Sequence, residues 1–316
     1  MLRFILIRVA EGAATLLVSS LLIFGALFLA PGDPIAILIG NRTVSPETVE
    51  ALREQYHLDD PFLLRWFAWL GDVVTGDLGQ SITYRDDVWN LLEPRLGTTA
   101  LLLAMSLVVI IVVGVGLGVV SALGGRRLGD VLLGATSVGV AVPSFVAALV
   151  LISLFAVGLG WFPTFGSGGD ELGDRIYHLI LPVIALTIAS GSYVVRVTRA
   201  ALREEAQRDH VQTAIGRGLP RGRTIAQHVV RNALTPIATV VGVTLTSLVV
   251  GSIVIEKAFA LDGIGLLLTD AVLRKDFAVV QAITLLLITI VVVVALLIDI
   301  LQVAVDPRVR ARVVRR

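Results

Sequence analysis

Residues 277–298 read FAVVQAITLLLITIVVVVALLI, a run without a single Asp, Glu, Lys or Arg. A helix crossing the hydrocarbon core of a bilayer needs about 20 mostly apolar residues, and this segment meets that length unaided. Five other stretches do the same, approximately Ala13 to Ala30, Ala100 to Leu123, Val131 to Gly158, Leu179 to Val195 and Pro236 to Ile255. In lipid every backbone polar group must be satisfied within the protein, so such runs predict helices. The expectation is an all-α, polytopic membrane protein with six transmembrane helices, an even number that leaves both termini on one side.

Composition agrees. Of 316 residues 56% are hydrophobic and 16% charged, against about a quarter charged in an average soluble domain. The absence of cysteine excludes disulfides, thiolate metal sites and cysteine nucleophiles. Lys257 and Lys275 are the only lysines among 26 basic residues, and Ala, Val, Gly and Leu abound, which reads as GC-rich bacterial coding. Arg3 and Arg8 precede the first span as they would in a signal sequence. Its apolar stretch is longer than an ordinary signal core, however, and Phe28-Leu29-Ala30 is not a small-x-small cleavage site, so a retained helix is expected.

Orientation follows from Arg and Lys, because positively charged segments resist translocation. Seventeen of the 26 fall in the tail with Arg3 and Arg8, the Gly124 to Asp130 loop, the Arg196 to Arg231 loop and the tail after Pro307. The opposite side holds most of the acids, from Asp33 to Glu93 in the first long loop. Both termini are therefore expected in the cytoplasm. The outer loop carries two helix starts, Ser45-Pro46 followed by Val49, Leu52 and Tyr56, and Asp60-Pro61 followed by a Phe62, Trp66, Trp69 stripe. That stripe suits either a helix at the membrane surface or the core of a small cap.

Several chemistries are missing. Neither lysine completes a Gly-x-x-x-x-Gly-Lys-Ser/Thr loop, so the chain has no nucleotide site of that kind. Ion-coupled carriers bury ionisable groups at mid-membrane, but Glu256 and Asp299 stand only near span ends. Asp299 reads as a helix-end carboxylate meeting water or an arginine of the tail. His57 and His178 fall outside and His210 and His228 inside, with no His-Glu-x-x-His, and Gly166-Ser167-Gly168-Gly169 reads as a flexible loop rather than a nucleophile elbow. A self-contained channel or carrier and an intramembrane hydrolase are thereby disfavoured.

A membrane protein with no energy source of its own and a long basic loop suits a partner that drives it. Arg203-Glu204-Glu205-Ala206 continues the fourth span as a polar helix, Gly216, Gly218 and Pro220 break the chain, and Thr224 begins a second helix on which Ile225 and Val229 lie four apart. On composition alone this is a solvated basic loop. Yet Asp209-His210-Val211-Gln212-Thr213-Ala214-Ile215-Gly216-Arg217-Gly218-Leu219, followed by His228-Val229-Val230-Arg231-Asn232-Ala233-Leu234-Thr235-Pro236, resembles the EAA loop of ABC importer permeases of the dipeptide/oligopeptide/nickel branch. Leu29-Ala30-Pro31-Gly32-Asp33-Pro34, Gly76-Asp77-Leu78-Gly79-Gln80-Ser81, Val142-Pro143-Ser144-Phe145, Glu256-Lys257-Ala258-Phe259 with Gly263-Ile264-Gly265, and Asp306-Pro307-Arg308-Val309-Arg310 agree in the same order. The resemblance is to the permease whose first extracytoplasmic loop is long.

That resemblance implies the type I ABC importer permease fold, in a bacterial cytoplasmic membrane. The implied divisions are 1–31 (terminus and first span), 32–99 (outer loop domain), 100–306 (five-helix core, with the coupling loop at 200–235) and 307–316 (basic tail). It implies a homologous second permease, two ATP-binding subunits that carry ATP and Mg, and an extracytoplasmic substrate-binding lipoprotein, with no cofactor, metal or nucleic acid on this chain. Small peptides are the implied cargo, with nickel complexes and other small solutes open. Gln212, Thr213, Ala214, Gly216, Arg217, Gly218 and Leu219 fall on the loop that docks in the ATPase. Small residues suit a close helix-to-groove contact, and Gly218 can turn the chain at positive φ. Gly216 departs from the alanine more usual in this branch and softens the helix end, at about 1 kcal/mol against Ala.

For the pathway the spans offer Pro143, Ser144, Ser190, Tyr193, Thr244 and Ser247. Ser and Thr in membrane helices more often bond back to their own helix than face a substrate. Pro143 should kink its helix, with a neighbour such as Ser144 meeting the freed carbonyl, and Gly114, Gly116 and Gly118 should let another helix approach.

Overall fold

The computed structural model describes residues 2–29, 45–47, 49–50 and 60–305. Among these, backbone order is helical apart from connections and one isolated antiparallel bridge, Gln80 to Asp87. Ser45 does start a helical turn, accepting from Val49 N at 3.2 Å. Leu52 and Tyr56 lie outside the described residues.

α1 (Leu2–Phe28) runs along α10 (Phe277–Val305). Arg8 Nε lies 3.2 Å from Asp299 Oδ2, so the carboxylate meets an arginine of the N-terminal helix. This pairing places the start of α1 beside the end of α10. α2 (Phe62–Thr75) lies on α1. Trp66 is buried and donates from Nε1 to Ser20 Oγ at 3.3 Å, while Phe24 meets Phe62 at 5.5 Å and Trp69 at 5.7 Å between ring centroids. The aromatic stripe is thus internal packing, and it is the opposite face, with Leu63, Leu64, Phe67 and Val74, that is exposed.

The core is built around α6 (Leu172–Ala206), which packs against α3 (Val88–Leu123), α4 (Arg126–Ala141), α5 (Ser144–Gly158) and α8 (Arg221–Ala258). Leu179, Leu186 and Val194 of α6 are buried with Leu102 and Ile110 of α3, Ala148 of α5 and Leu248 of α8. Glycine lets α3 come close. A Cβ on Gly118 would stand 2.5 Å from Thr198 Cβ, and one on Gly114 would sit 3.4 Å from Val194 Cγ1, whereas Gly116 has nothing within 4 Å. Of the three glycines expected to permit a helix approach, Gly118 is the one whose replacement would clash, while a Cβ on Gly114 would make an ordinary contact.

Among the described residues five helices, α1, α3, α6, α8 and α10, are uninterrupted and long and apolar enough to cross a membrane. The stretch expected as one span from Val131 to Gly158 is two helices, α4 and α5, bent by 100°. Counted as one broken span, the pair makes the sixth. The cause is local. Proline disfavours the helical region for the residue before it, and Val142 sits at φ −83°, ψ 116°. Pro143 then opens α5, its carbonyl accepting from Val146 N and Ala147 N at 3.0 Å. The Gly139 carbonyl, left without its helical partner, accepts from Val142 N at 3.4 Å rather than from Ser144.

Candidate functional site

α6 extends through Ala206 as a polar helix and turns at Gln207 and Arg208 into α7 (Asp209–Gly216). Asp209 puts an acid in the first turn, favourable against the helix dipole. One face of α7 is internal, since Val211 is buried in a small core with Leu202 of α6 and Val229 and Ala233 of α8, and Ala214 is buried as well. The other face is open: Gln212, Thr213, Ile215, Gly216 and Arg217 are all exposed. Of the residues singled out in the sequence, Ala214 thus faces its own chain.

The end of α7 is a Schellman turn, with Gly218 N donating to Ile215 O at 2.9 Å and Leu219 N to Ala214 O at 3.3 Å. Gly218 has φ +79°, a conformation open to glycine and costly for residues with a Cβ. The helix that follows begins at Arg221 after Pro220, earlier than the Thr224 start expected from the pattern.

Side chains tie α7 to both neighbouring helices. Glu205, 7% exposed, faces Arg208 Nε at 2.9 Å and His210 Nε2 at 3.2 Å. Arg208 also reaches Glu204 at 3.2 Å. From α8, Asn232 Nδ2 lies 3.3 Å from His210 Nε2 and donates to the His228 carbonyl at 2.9 Å. The rings of His210 and His228 are 6.3 Å apart. Glu204, Glu205, His210, His228, Arg231 and Asn232 border a cavity of about 860 Å³ beside this junction. Glu205 was not marked out in the sequence, and only its place one turn past Leu202 on the buried side of α6 distinguishes it from Glu204.

The pathway candidates divide. Ser190 bonds back to Leu186 O at 3.3 Å, Thr244 is buried and bonds to Val240 O at 2.7 Å, and Ser247 is exposed and bonds to Val243 O at 3.4 Å. All three satisfy themselves on their own helices. Pro143 is exposed at the bend and Ser144 half-buried beside it. Tyr193 is exposed and borders a second cavity, of about 670 Å³, between α4 and α6.

Two further buried carboxylates were not assigned from sequence. Glu256 is fully buried, Oε1 accepting from Thr99 Oγ1 at 2.7 Å and Oε2 from Gly265 N at 2.7 Å and Leu266 N at 3.2 Å. It therefore caps α9 (Ile264–Arg274) from the end of α8. A Cβ on Gly263 would clash with Glu256 Oε2 and one on Gly265 would stand 2.9 Å from it, so both positions need glycine. Asp276, also fully buried, accepts from Ser81 Oγ and, at 3.1 Å, from Thr83 N, which fastens the Gly76 to Ser81 loop to the start of α10.

The profile of the binding-protein-dependent transport system inner membrane components matches residues 114–311, and the N-terminal profile of membrane components of the same systems matches residues 1–104. The chain belongs to this family. It is the permease subunit of an ABC importer, a multi-pass inner-membrane component whose ATPase resides on separate subunits. Relatives similar to this permease include the oligopeptide transport system permease protein OppB of Escherichia coli, 33% identical over 98% of this chain and 100% of its own length. AppB of Bacillus subtilis, also an oligopeptide transport system permease protein, is 35% identical over 98% and 99%. Among solved structures, inward-facing MetNI methionine ABC transporter chains share the permease fold, with TM-scores of 0.56 and 0.50 at 17% and 18% identity. The two cover 68% and 69% of this chain and 96% and 94% of their own. The loop containing α7 lies inside the longer profile match.

Proposed function

We propose that this permease forms one half of the translocation pathway of an ATP-driven importer of small peptides and that α7 is its coupling helix. α7 carries the reading: Val211 holds it on the core with Ala214 buried beside it, Glu205 and Asn232 join it to α6 and α8, and a face with Gln212, Thr213 and Ile215 is left open at its tip. A helix fastened on one side and open on the other can receive a push and pass it to two spans. The full-length likeness to two oligopeptide permeases supports peptide as the cargo.

In this reading 1–31, 32–99, 100–306 and 307–316 are the terminus with first span, outer loop domain, core and tail. Gln212, Thr213, Gly216, Arg217, Gly218 and Leu219 meet the ATPase, with Ala214 beneath them. The termini face the cytoplasm, supported by the arginine distribution and the Arg8–Asp299 pair. The partners are a homologous second permease, two ATP-binding subunits with ATP and Mg, and an extracytoplasmic binding lipoprotein.

Co-purification in mild detergent tests the assembly. Mass spectrometry should find two ATP-binding chains, a second permease and a peptide-loaded binding protein, and the reconstituted assembly should take up peptide only with ATP. A chain that isolates alone and moves solute in liposomes without ATP contradicts the reading.

A further inference from the structure

The cavity bordered by Tyr193 has an order that the coupling function does not use. Its walls include Leu133, Val140 and Val197, and its edge carries Arg196, Arg199 and Arg203. The arginines fall at i, i+3 and i+7 on α6, hence on one stripe. At 1.5 Å per residue Tyr193 lies roughly 15 Å deeper along α6 than Arg203, so the cavity is apolar toward mid-span and cationic toward the loop.

Charge is not balanced there. Arg199 is 6% exposed and is consumed by the chain, donating to Gly129 O and lying 3.1 Å from Asp130 Oδ1. Arg203 makes only a long contact, 3.5 Å, with Ser121 O. Arg196 is exposed and has no hydrogen bond or ion pair among the described residues, and neither has the Tyr193 hydroxyl. Asp130 is the nearby acid, and it is shared with Arg126 at 3.9 Å. Two guanidinium groups and a phenol are left facing an amphipathic cleft at the arginine-rich end of the spans.

We propose that this cleft holds an anionic phospholipid of the inner leaflet, its phosphate between Arg196 and Arg203 and an acyl chain along Leu133, Val140 and Val197. Arginine forks suit phosphate oxygens, and basic pockets between helices on the cytoplasmic side attract acidic headgroups. A peptide carboxylate meets the charge but not the apolar depth, and so strong a cationic trap on the release side would retain cargo. The proposal rests on these ends facing the cytoplasm. Labelling a cysteine placed at Arg221 from either side of sealed vesicles checks that orientation separately.

The test is native mass spectrometry of the full chain with its co-purifying subunits, taken from bilayers of equal phosphatidylglycerol and phosphatidylcholine. At about fivefold for each arginine, the assembly should retain phosphatidylglycerol over phosphatidylcholine by roughly 25-fold. Arg196→Gln, which strands no partner, should lower this about fivefold, and Arg196→Gln with Arg203→Gln should abolish it. Arg196→Lys with Arg203→Lys, and the distant Arg221→Gln, should keep most of it. No preference in the natural protein, a preference untouched by Arg196→Gln in a well-folded assembly, or displacement of the lipid by inorganic phosphate or by soluble dipeptide would overturn the lipid site. The last two displacements would mark a free-phosphate or a cargo site instead.

Discussion

Thr99 Oγ1 and Glu256 Oε1 stand 2.7 Å apart across 157 positions of sequence, and both side chains are buried. Thr99 Oγ1 also accepts from Ile264 N at 3.0 Å. One hydroxyl and one carboxylate thus join α3 to the end of α8 and the start of α9. Glu256→Ala would strand the N–H groups of Gly265 and Leu266 together with the Thr99 hydroxyl, at about 1–3 kcal/mol for each buried group left unsatisfied. The variant should insert yet melt well below the natural protein in detergent, and Glu256→Gln should lose less, because an amide oxygen keeps one acceptor. Equal melting of all three proteins would contradict the cap.

Gly218 should be replaceable by residues that tolerate its backbone and by no others. Nothing lies within 4 Å of a Cβ built there, so steric conflict inside the chain is absent and the cost comes from φ +79°, about 1–2 kcal/mol for most residues. Gly218→Asn should keep a substantial part of ATP-driven uptake. Gly218→Val should abolish uptake while the spans still insert. Unchanged uptake in the valine variant would count against α7 as the lever.

Ala214 separates packing from docking. It is a residue of α7 only 5% exposed, and Ala214→Leu overfills that space at about 1–3 kcal/mol, displacing the helix from its seat. ATP hydrolysis by the assembled complex should persist in part while uptake falls more steeply. A parallel fall of both activities would locate the damage outside the coupling step.

The α3–α6 crossing supplies a matched pair of alanines. Gly118→Ala brings a methyl to 2.5 Å of Thr198 Cβ and 3.0 Å of Val195 O, so the helices must separate and thermal stability should drop. Gly116→Ala meets nothing and should be neutral or slightly stabilising through helix propensity. A reversed order of melting temperatures would refute the crossing geometry.

These results divide what sequence could and could not convey. The spans were legible because a bilayer demands long apolar runs, and α7 was legible because Gly218 and Pro220 punctuate it. Pro143 announced a bend but not its 100° angle, and nothing in the pattern announced that α4 would lie so close to α6 that a Cβ on Gly139 would clash with Ser192 Oγ. The aromatic stripe fitted a membrane surface and a core equally until Ser20 and Phe24 were seen beneath it. Glu256, Asp276 and Glu205 stayed hidden for a common reason. Each works by a partner from another part of the chain or across a helix turn, and pattern alone does not reveal which acids are buried.

The central claim, that the open face of α7 receives a separate ATPase, is tested most directly by site-directed crosslinking, for which the cysteine-free chain is well suited. A photoactivatable maleimide on a cysteine at Thr213, which is exposed, should trap an ATP-binding subunit in the purified assembly, and the same probe at the exposed Val74 of α2 should not. Capture of an ATP-binding chain from Thr213 alone is the predicted result. Failure to capture one from Thr213, or equal capture from Val74, would contradict the account.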